Sequence, residues 1–379
     1  MIVAVQLEPV DTLFLRDGTP FAAGSAPQED VGSLFPPYPP TMVGALRAAL
    51  ARCNGWNNGK RWPKRLNTVL GDGPHDLGAL KFDGPIVLQD GEPLFPVPRH
   101  VLGAEYDGEW RPIACLRPGS DVMCDLGATV RLPELPRDSG SDVKLKSAPD
   151  RWLTKTGLET VLHGKLPGDN EIVPSRKLWR LEQRVGLEID KNTHTAREGR
   201  LYSTRHVRTM RGVSLGMRID GVPENDRTEN DWTLPHGCLG PLGGESRVVE
   251  YRSWDAAKLE IDAPLGEIDT AERVAIVALT PLDLDKAVVH GRIPLENAGG
   301  LQVVSACLDR PRRVGGWDSL ARRPLSLRSL LPAGSVLFCE ADNSRHLART
   351  AKTGGGLLKI GLRTEWGFGL TAVGAWSNE

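Results

Sequence analysis

The chain has 379 residues, 40% of them hydrophobic, with 47 Lys+Arg against 48 Asp+Glu and a formal net charge of -1. That length can bury a large core and suits two domains, and no apolar run approaches the ~18 residues of a membrane-spanning helix. The 42 Gly and 29 Pro favour short elements with tight connections over long helices.

Ile2 to Glu8 is β-branched at its start and reads as a first strand rather than a secretory leader. It runs into "LEPVDTLFLRDGTPF" (7–21), where Arg16-Asp17-Gly18 suits a tight bend on a long loop. Pro36, Pro37, Pro39 and Pro40 then impose an extended approach. Thr41 is the expected N-cap of a helix over about 42–53, with Val43, Leu46 and Leu50 at helical spacing and Arg47 near the border of that stripe. Asp90-Gly91 between two apolar runs signals a hairpin. Residues 133–149 read as a loop, Trp152–Leu162 as a short helix, "GRLYSTRHVRTM" and "GVSLGMRID" as strands, and 221–236 as a polar loop.

"GPLGGESRVVEYR" joins a Gly-rich turn to a strand over Arg247–Tyr251. The last third gives strands at 273–281, 301–308 and 334–341, a helix in "NSRHLARTAK", and a glycine-rich stretch, Gly361 to Gly369, entering the strand "LTAVGAW". With weak helical potential after its first strand, this part approximates βαββαβ. The N-terminal part opens β-loop-α-β and also closes on a Gly-rich loop and strand. The fold class expected is therefore α+β: two tandem ferredoxin-like (RRM-like) domains with large insertions and glycine-rich loops, split as 1–265 and 266–379.

Charge is unevenly placed. Arg176–Arg211 holds ten Lys/Arg against four Asp/Glu, Arg310–Arg328 six Arg against one Asp, and Leu215–Glu272 thirteen acids against five bases. Two basic stripes and an acidic stretch suit a protein that holds a polyanion on one face and meets other proteins elsewhere. The bland alternative is solvated surface.

No phosphate-loop, dinucleotide or HExxH motif occurs, so no cofactor or metal is expected. The six Cys form no CxxC pair, which suits free thiols in a reducing cytoplasm. "GVSLG" (212–216) matches a nucleophile elbow by letters, but an extended segment follows where a helix is required. His194, Tyr202 and His206 lie in the basic region, and a metal-free ribonuclease would use such groups as base and charge stabiliser. The alternative for both His residues is polar surface or phosphate contact.

The opening "LEPVDTLFLRDGTPF" with "FPPYPPTMVGALRAAL", then "RVGLEIDKNTHTAREGRLYSTRHVR", "GPLGGESR", "GGWD", "PAGSVLFCE" and "GLRTEWGFGLTAVGAW" resemble the third-subunit family of the Cmr complex, RAMP-superfamily proteins of type III-B CRISPR effectors. These pieces span nearly the whole chain. The resemblance implies a non-catalytic backbone subunit that holds the 5' tag of the CRISPR RNA, between the large polymerase-like subunit and the first filament subunit. It brings no catalytic residues. RAMP relatives include nucleases that mature CRISPR RNA, and this is the alternative activity. Target RNA is a further candidate partner.

The RNA contacts expected are Arg197, Arg200, Arg205, Arg208 and Arg211 for phosphates, with Tyr202 sharing a strand face with Arg200, His206 and Arg208 as a base platform. The alternative places Tyr202 in the core. Gly-rich turns permit close backbone approach, which adds Arg247, Arg363, Gly367, Phe368 and Gly369. Arg47 either reaches RNA or fixes the N-terminal loop. Arg16 and Asp17 are expected to contact the large subunit or the RNA tag.

Overall fold

The computed structural model describes residues 1–16, 30–59, 61–123, 129–136, 143–148, 150–190, 192–224, 232–284, 291–295, 299–318 and 320–376. Its principal strands, in chain order, are β1 (Val3–Pro9), β2 (Lys81–Gln89), β3 (Glu92–Pro96), β4 (Arg151–Thr154), β5 (Ile172–Pro174), β6 (Trp179–Ile189), β7 (Ala196–Thr209), β8 (Val213–Asp220), β9 (Cys238–Pro241) and β10 (Val248–Ser253). They continue as β11 (Arg273–Ala278), β12 (Arg292–Leu295), β13 (Gly299–Cys307), β14 (Val336–Ala341), β15 (Leu357–Lys359) and β16 (Leu370–Ala375). The helices that pack on them are α1 (Pro39–Cys53), α2 (Lys155–Leu162), α3 (Leu265–Thr270) and α4 (Ser344–Thr353).

Two large sheets result, ordered β5-β4-β3-β2-β8-β1-β10-β9 and β12-β13-β14-β11-β16-β15, with β6 and β7 in a separate smaller sheet. All their pairings are antiparallel, with Val5 opposite both Met217 and Ser253, and Ile276 opposite both Leu337 and Val373. Within each, four strands follow the order second-third-first-fourth of a βαββαβ unit: β2-β8-β1-β10 and β13-β14-β11-β16. Each keeps one helix of that plan among the described residues. The first retains α1, after its first strand, and the second retains α4, after its third. The helical potential expected after β11 gives no helix among the described residues.

Both faces of both sheets are covered, which explains why Val274–Ala278, "VAIVA", is apolar throughout rather than alternating. In β11, Ala275 and Val277 enter a core shared with Ile86, Leu88 and Phe95 of the first sheet, while Val274, Ile276 and Ala278 face the other way. Helix α2 contributes Leu158, Val161 and Leu162 to the shared core. The outer face of the first sheet packs on α1 through Met42, Val43, Leu46 and Leu50. The outer face of the second packs on α3 and α4 through Ile268, Leu347, Ala348 and Ala351. Asp83 of β2, buried beside Arg218 at 2.7 Å and Lys359 of β15 at 2.5 Å, joins the two sheets by charge.

Two boundaries differ from expectation. Helix α1 starts at Pro39 with Tyr38 as N-cap, not at Thr41, because Pro39 and Pro40 fit the first turn, where amide hydrogens have no intrahelical partner. The expected Trp152–Leu162 helix begins only at Lys155. Arg151–Thr154 is a strand, and Thr154 caps the helix by accepting from the Gly157 amide at 3.1 Å. The Asp90-Gly91 hairpin is present between β2 and β3, with φ of 52° and 80°. Ser214 of "GVSLG" is fully buried within β8, so no nucleophile elbow forms.

Candidate nucleic-acid interface

The first basic stripe forms a long hairpin of β6 and β7, in register from Trp179↔Thr209 to Leu187↔Leu201. Backbone bonds of 2.8 Å in both directions between Leu13 and Val207 fix its base. At its tip Asp190 Oδ1 accepts from the amides of Asn192 (2.8 Å) and Thr193 (3.2 Å), and His194 is exposed with φ of 54°.

Cross-strand partners share a face, so Arg180 stands with Arg208, Glu182 with His206, and Arg184 with Thr204. That face is an ion-pair network. Arg208 meets Glu182 at 2.6 Å and Asp11 at 3.1 Å; Arg184 meets Glu182 at 2.9 Å and Asp11 at 3.4 Å. Arg247 joins through Glu245 at 3.1 Å and Asp11 at 3.6 Å. Partial burial pushes the Asp11 carboxyl up, but the Thr12 amide, Arg184 and Arg208 more than reverse this and hold it below the usual carboxylate value. Hydrogen bonds from Arg208 and Arg184 likewise hold Glu182 low. The opposite face of β6 carries exposed Leu181, Val185, Leu187 and Ile189.

His206 corrects the expectation of a surface base or RNA contact. It is fully buried, stacked on Phe14 at 5.1 Å, with Nδ1 3.2 Å from Thr12 Oγ1 and Nε2 3.2 Å from Glu245. Burial draws its pKa below the ordinary histidine value against the pull of Glu245, so the ring is neutral and inaccessible. The reason lies in the turn that follows β9. Gly243 has φ of 80°, and a Cβ there would lie 2.4 Å from the Phe14 carbonyl oxygen, so the turn closes over Phe14 and the histidine.

Arg47 is a second correction. It is 5% exposed on α1 and donates from Nε to Leu70 O (2.8 Å), from Nη1 to Gly73 O (3.0 Å) and from Nη2 to Asp76 O (2.7 Å). Its guanidinium lies 5.1 Å from the centre of the Trp62 ring. It therefore fixes the 70–76 loop rather than RNA or the N-terminal loop. Phe368 is the third correction: it is fully buried with Val314 and Leu330 and offers no base a surface.

The glycine-rich segment around Phe368 is a joint. Arg363, at φ of 57°, donates from Nε to the fully buried Asp283 at 2.8 Å and stands 4.2 Å over the Phe368 ring. Gly367 has φ of 94°, and a Cβ would meet the Gly84 carbonyl oxygen of β2 at 2.4 Å. A Cβ on Gly369 would meet the Ile360 oxygen at 2.0 Å. The glycines serve close packing of chain on chain.

Arg205 and Arg211 are exposed, Arg205 on β7 and Arg211 in the turn before Gly212. Arg16 is exposed and bridges Ser33. The side chains of Arg197, Arg200 and Tyr202 lie outside the described part of β7, and Asp17 lies outside the described residues. Asp11, Glu182, Glu245 and Asp283, which hold most of the arginines above, were not legible as partners: only the cross-strand register and the turn packing bring them together.

Two antiparallel sheets on a shared core, with few helices and glycine-rich loops, define a mixed α/β protein. The chain belongs to the family described as CRISPR-associated protein (Cas_Cmr3), which matches residues 5–376, and is thus a subunit of a type III CRISPR complex. A chain from the type III-B Cmr-beta complex bound to cognate target RNA and AMPPnP is similar over 92% of this chain and 88% of its own, at 16% identity and a TM-score of 0.49. One from the Csm3-Csm4 subcomplex of the type III-A interference complex is similar over 88% of this chain and 92% of its own, at 8% identity and a TM-score of 0.38. No curated protein is similar to the chain. Among the described residues no helix is long and apolar enough to cross a membrane.

Proposed function

We propose that this chain is a non-catalytic, RNA-binding backbone subunit of a cytoplasmic type III-B effector. It holds the 5' tag of the CRISPR RNA and bridges the large polymerase-like subunit to the filament subunits, and its two units, 1–265 and 266–379, act as one body. The observation that carries the reading is membership of the Cas_Cmr3 family across residues 5–376. The hairpin supports it: β7 puts Arg197, Arg200, Arg205 and Arg208 along one long strand, with Tyr202 among them. Cations along a strand bind phosphates, and an aromatic among them stacks a base.

The network of Asp11, Glu182 and Glu245 adds a constraint. Phosphates must displace carboxylates that already pair with Arg184, Arg208 and Arg247. Binding by the free chain is therefore weak and salt-sensitive, and the assembled complex supplies the rest. The test is Arg200→Ala/Arg205→Ala/Arg208→Ala in the assembled complex, read as guide RNA retained per complex. Reduced retention with the subunits still assembled is expected; unchanged retention removes this strand from the RNA path.

A further inference from the structure

The second basic stripe differs from the first in one physical respect: apart from Arg328, its arginines have no carboxylate partner among the described residues. It forms an excursion between β13 and β14, in which Arg312–Val314 pairs with Arg328–Leu330 and Trp317–Asp318 pairs with Arg323–Pro324. Its inward side is anchored. Val314 and Leu330 pack on Phe368, Arg328 reaches buried Asp283 at 2.9 Å, and Arg99 holds Asp309 at 2.7 Å near the base. Asp318 is buried and accepts from the amides of Leu320 and Ala321, both at 2.9 Å, which tightens the tip.

The same excursion carries Arg310, Arg312, Arg313, Arg322 and Arg323, all exposed, and none forms an ion pair with a described residue. Trp317, between Arg313 and Arg322 in the chain and paired with Pro324, is 61% exposed, the most exposed aromatic ring among the described residues. Trp110, Trp152, Trp254 and Trp376, by contrast, are 7–8% exposed. An indole held in water on a rigid hairpin does little for the fold of the chain that carries it. Planar guanidiniums and an exposed indole suit a partner with both negative charge and flat aromatic faces, which single-stranded nucleic acid has in every nucleotide.

We propose that this hairpin is a single-stranded RNA-binding surface, with Trp317 as the stacking platform and Arg312, Arg313, Arg322 and Arg323 as phosphate contacts. The proposal rests on the reading of the chain as an RNA-holding subunit and adds a contact on the second sheet, away from β7. Its rigid base pre-orders the grip, so little loop ordering opposes binding.

The test is fluorescence anisotropy of a labelled oligouridine titrated with the full chain across a range of salt. Three variants are compared with wild type: Trp317→Ala, Trp317→Phe, and Arg312→Ala/Arg313→Ala/Arg323→Ala. Arg322→Glu, at the exposed turn, is a second probe of charge should the triple variant fold poorly. Trp317→Ala is expected to weaken binding by about tenfold with the salt slope unchanged, and Trp317→Phe to retain most of the affinity. The triple variant is expected to lower the salt slope by about 2, since each lost phosphate contact removes about 0.7. Wild-type binding with all hairpin variants unaffected overturns this site and leaves the RNA reading on β7 intact. Variants that keep their RNA affinity but lose co-purifying subunits overturn it in favour of an acidic protein surface. No RNA bound by wild type, free or in the assembled complex, overturns both readings.

Discussion

Arg47 and Arg208 are both cations borne on regular elements, yet one is internal mortar and the other faces solvent. Arg47 stands four residues after Val43 and three before Leu50, inside the buried stripe of α1, so its charge meets carbonyl oxygens of the 70–76 loop. Burial pulls its pKa down to about 10, still far above any working pH, so it stays charged. Arg208 keeps water access and two carboxylates, Glu182 and Asp11. Removing those competitors with Asp11→Asn/Glu182→Gln is expected to raise RNA affinity by about threefold, in the range of exposed ion pairs, as read by the same anisotropy titration. A fall in affinity would show that the network positions the arginines instead. His100 gives a prediction for stability. It is buried, edge-on to Phe338 at 5.8 Å, and burial lowers its pKa to about 4. The unfolded chain binds the proton near 6.5, so the unfolded state holds more protons below that pH. The contribution of the neutral ring is thus full above pH ~6.5 and falls away down to about 4, by about 3 kcal/mol in all. Denaturant midpoints measured across that window are expected to drop for wild type and to flatten in His100→Gln.

At the scale of elements, the strands of the last third were readable because apolar runs such as "RVAIVA" are bounded by turn residues, and the Asp90-Gly91 hairpin because its two positions demand positive φ. The switch from strand to helix at Thr154 was not readable, since Trp152 and Leu153 fit either period and only pairing with Pro96 and Phe95 makes them a strand. The candidate site was legible as charge but not as pairing. The opposition of Glu182 to His206 depends on register, and the closeness of Asp11 to Arg247 on how the β1 end meets the Gly243 turn. The glycine-rich C-terminal loop shows the same limit: in sequence its glycines suit close approach of RNA, whereas in the fold the chain itself fills the space. Gly367→Ala is expected to destabilise the fold by about 2 kcal/mol, from the left-handed φ and the Gly84 oxygen, in chemical denaturation. An unchanged midpoint would mean that the joint yields easily.

At the scale of the whole molecule, a sheet-dominated α/β fold was legible in the order of elements, while the way its two large sheets combine was not. The expected division at 265/266 falls between β10 and β11, at the start of α3, yet the two sheets share one core built from Ile86, Leu88, Ala275, Val277 and Phe338. Asp83, held by Arg218 and Lys359, and Gly367, set against Gly84, reinforce that joint. A body of this kind can carry the β6–β7 hairpin and the Trp317 hairpin as fixed features, which is what the proposed role of holding one RNA strand between neighbours requires. The most direct test is photo-crosslinking of the guide RNA in the purified, assembled effector, with crosslinked peptides of this chain mapped by mass spectrometry. The account predicts crosslinks from the 5' tag to the β7 strand, 196–209. An assembled complex whose guide RNA crosslinks to its neighbours and nowhere on this chain would contradict it.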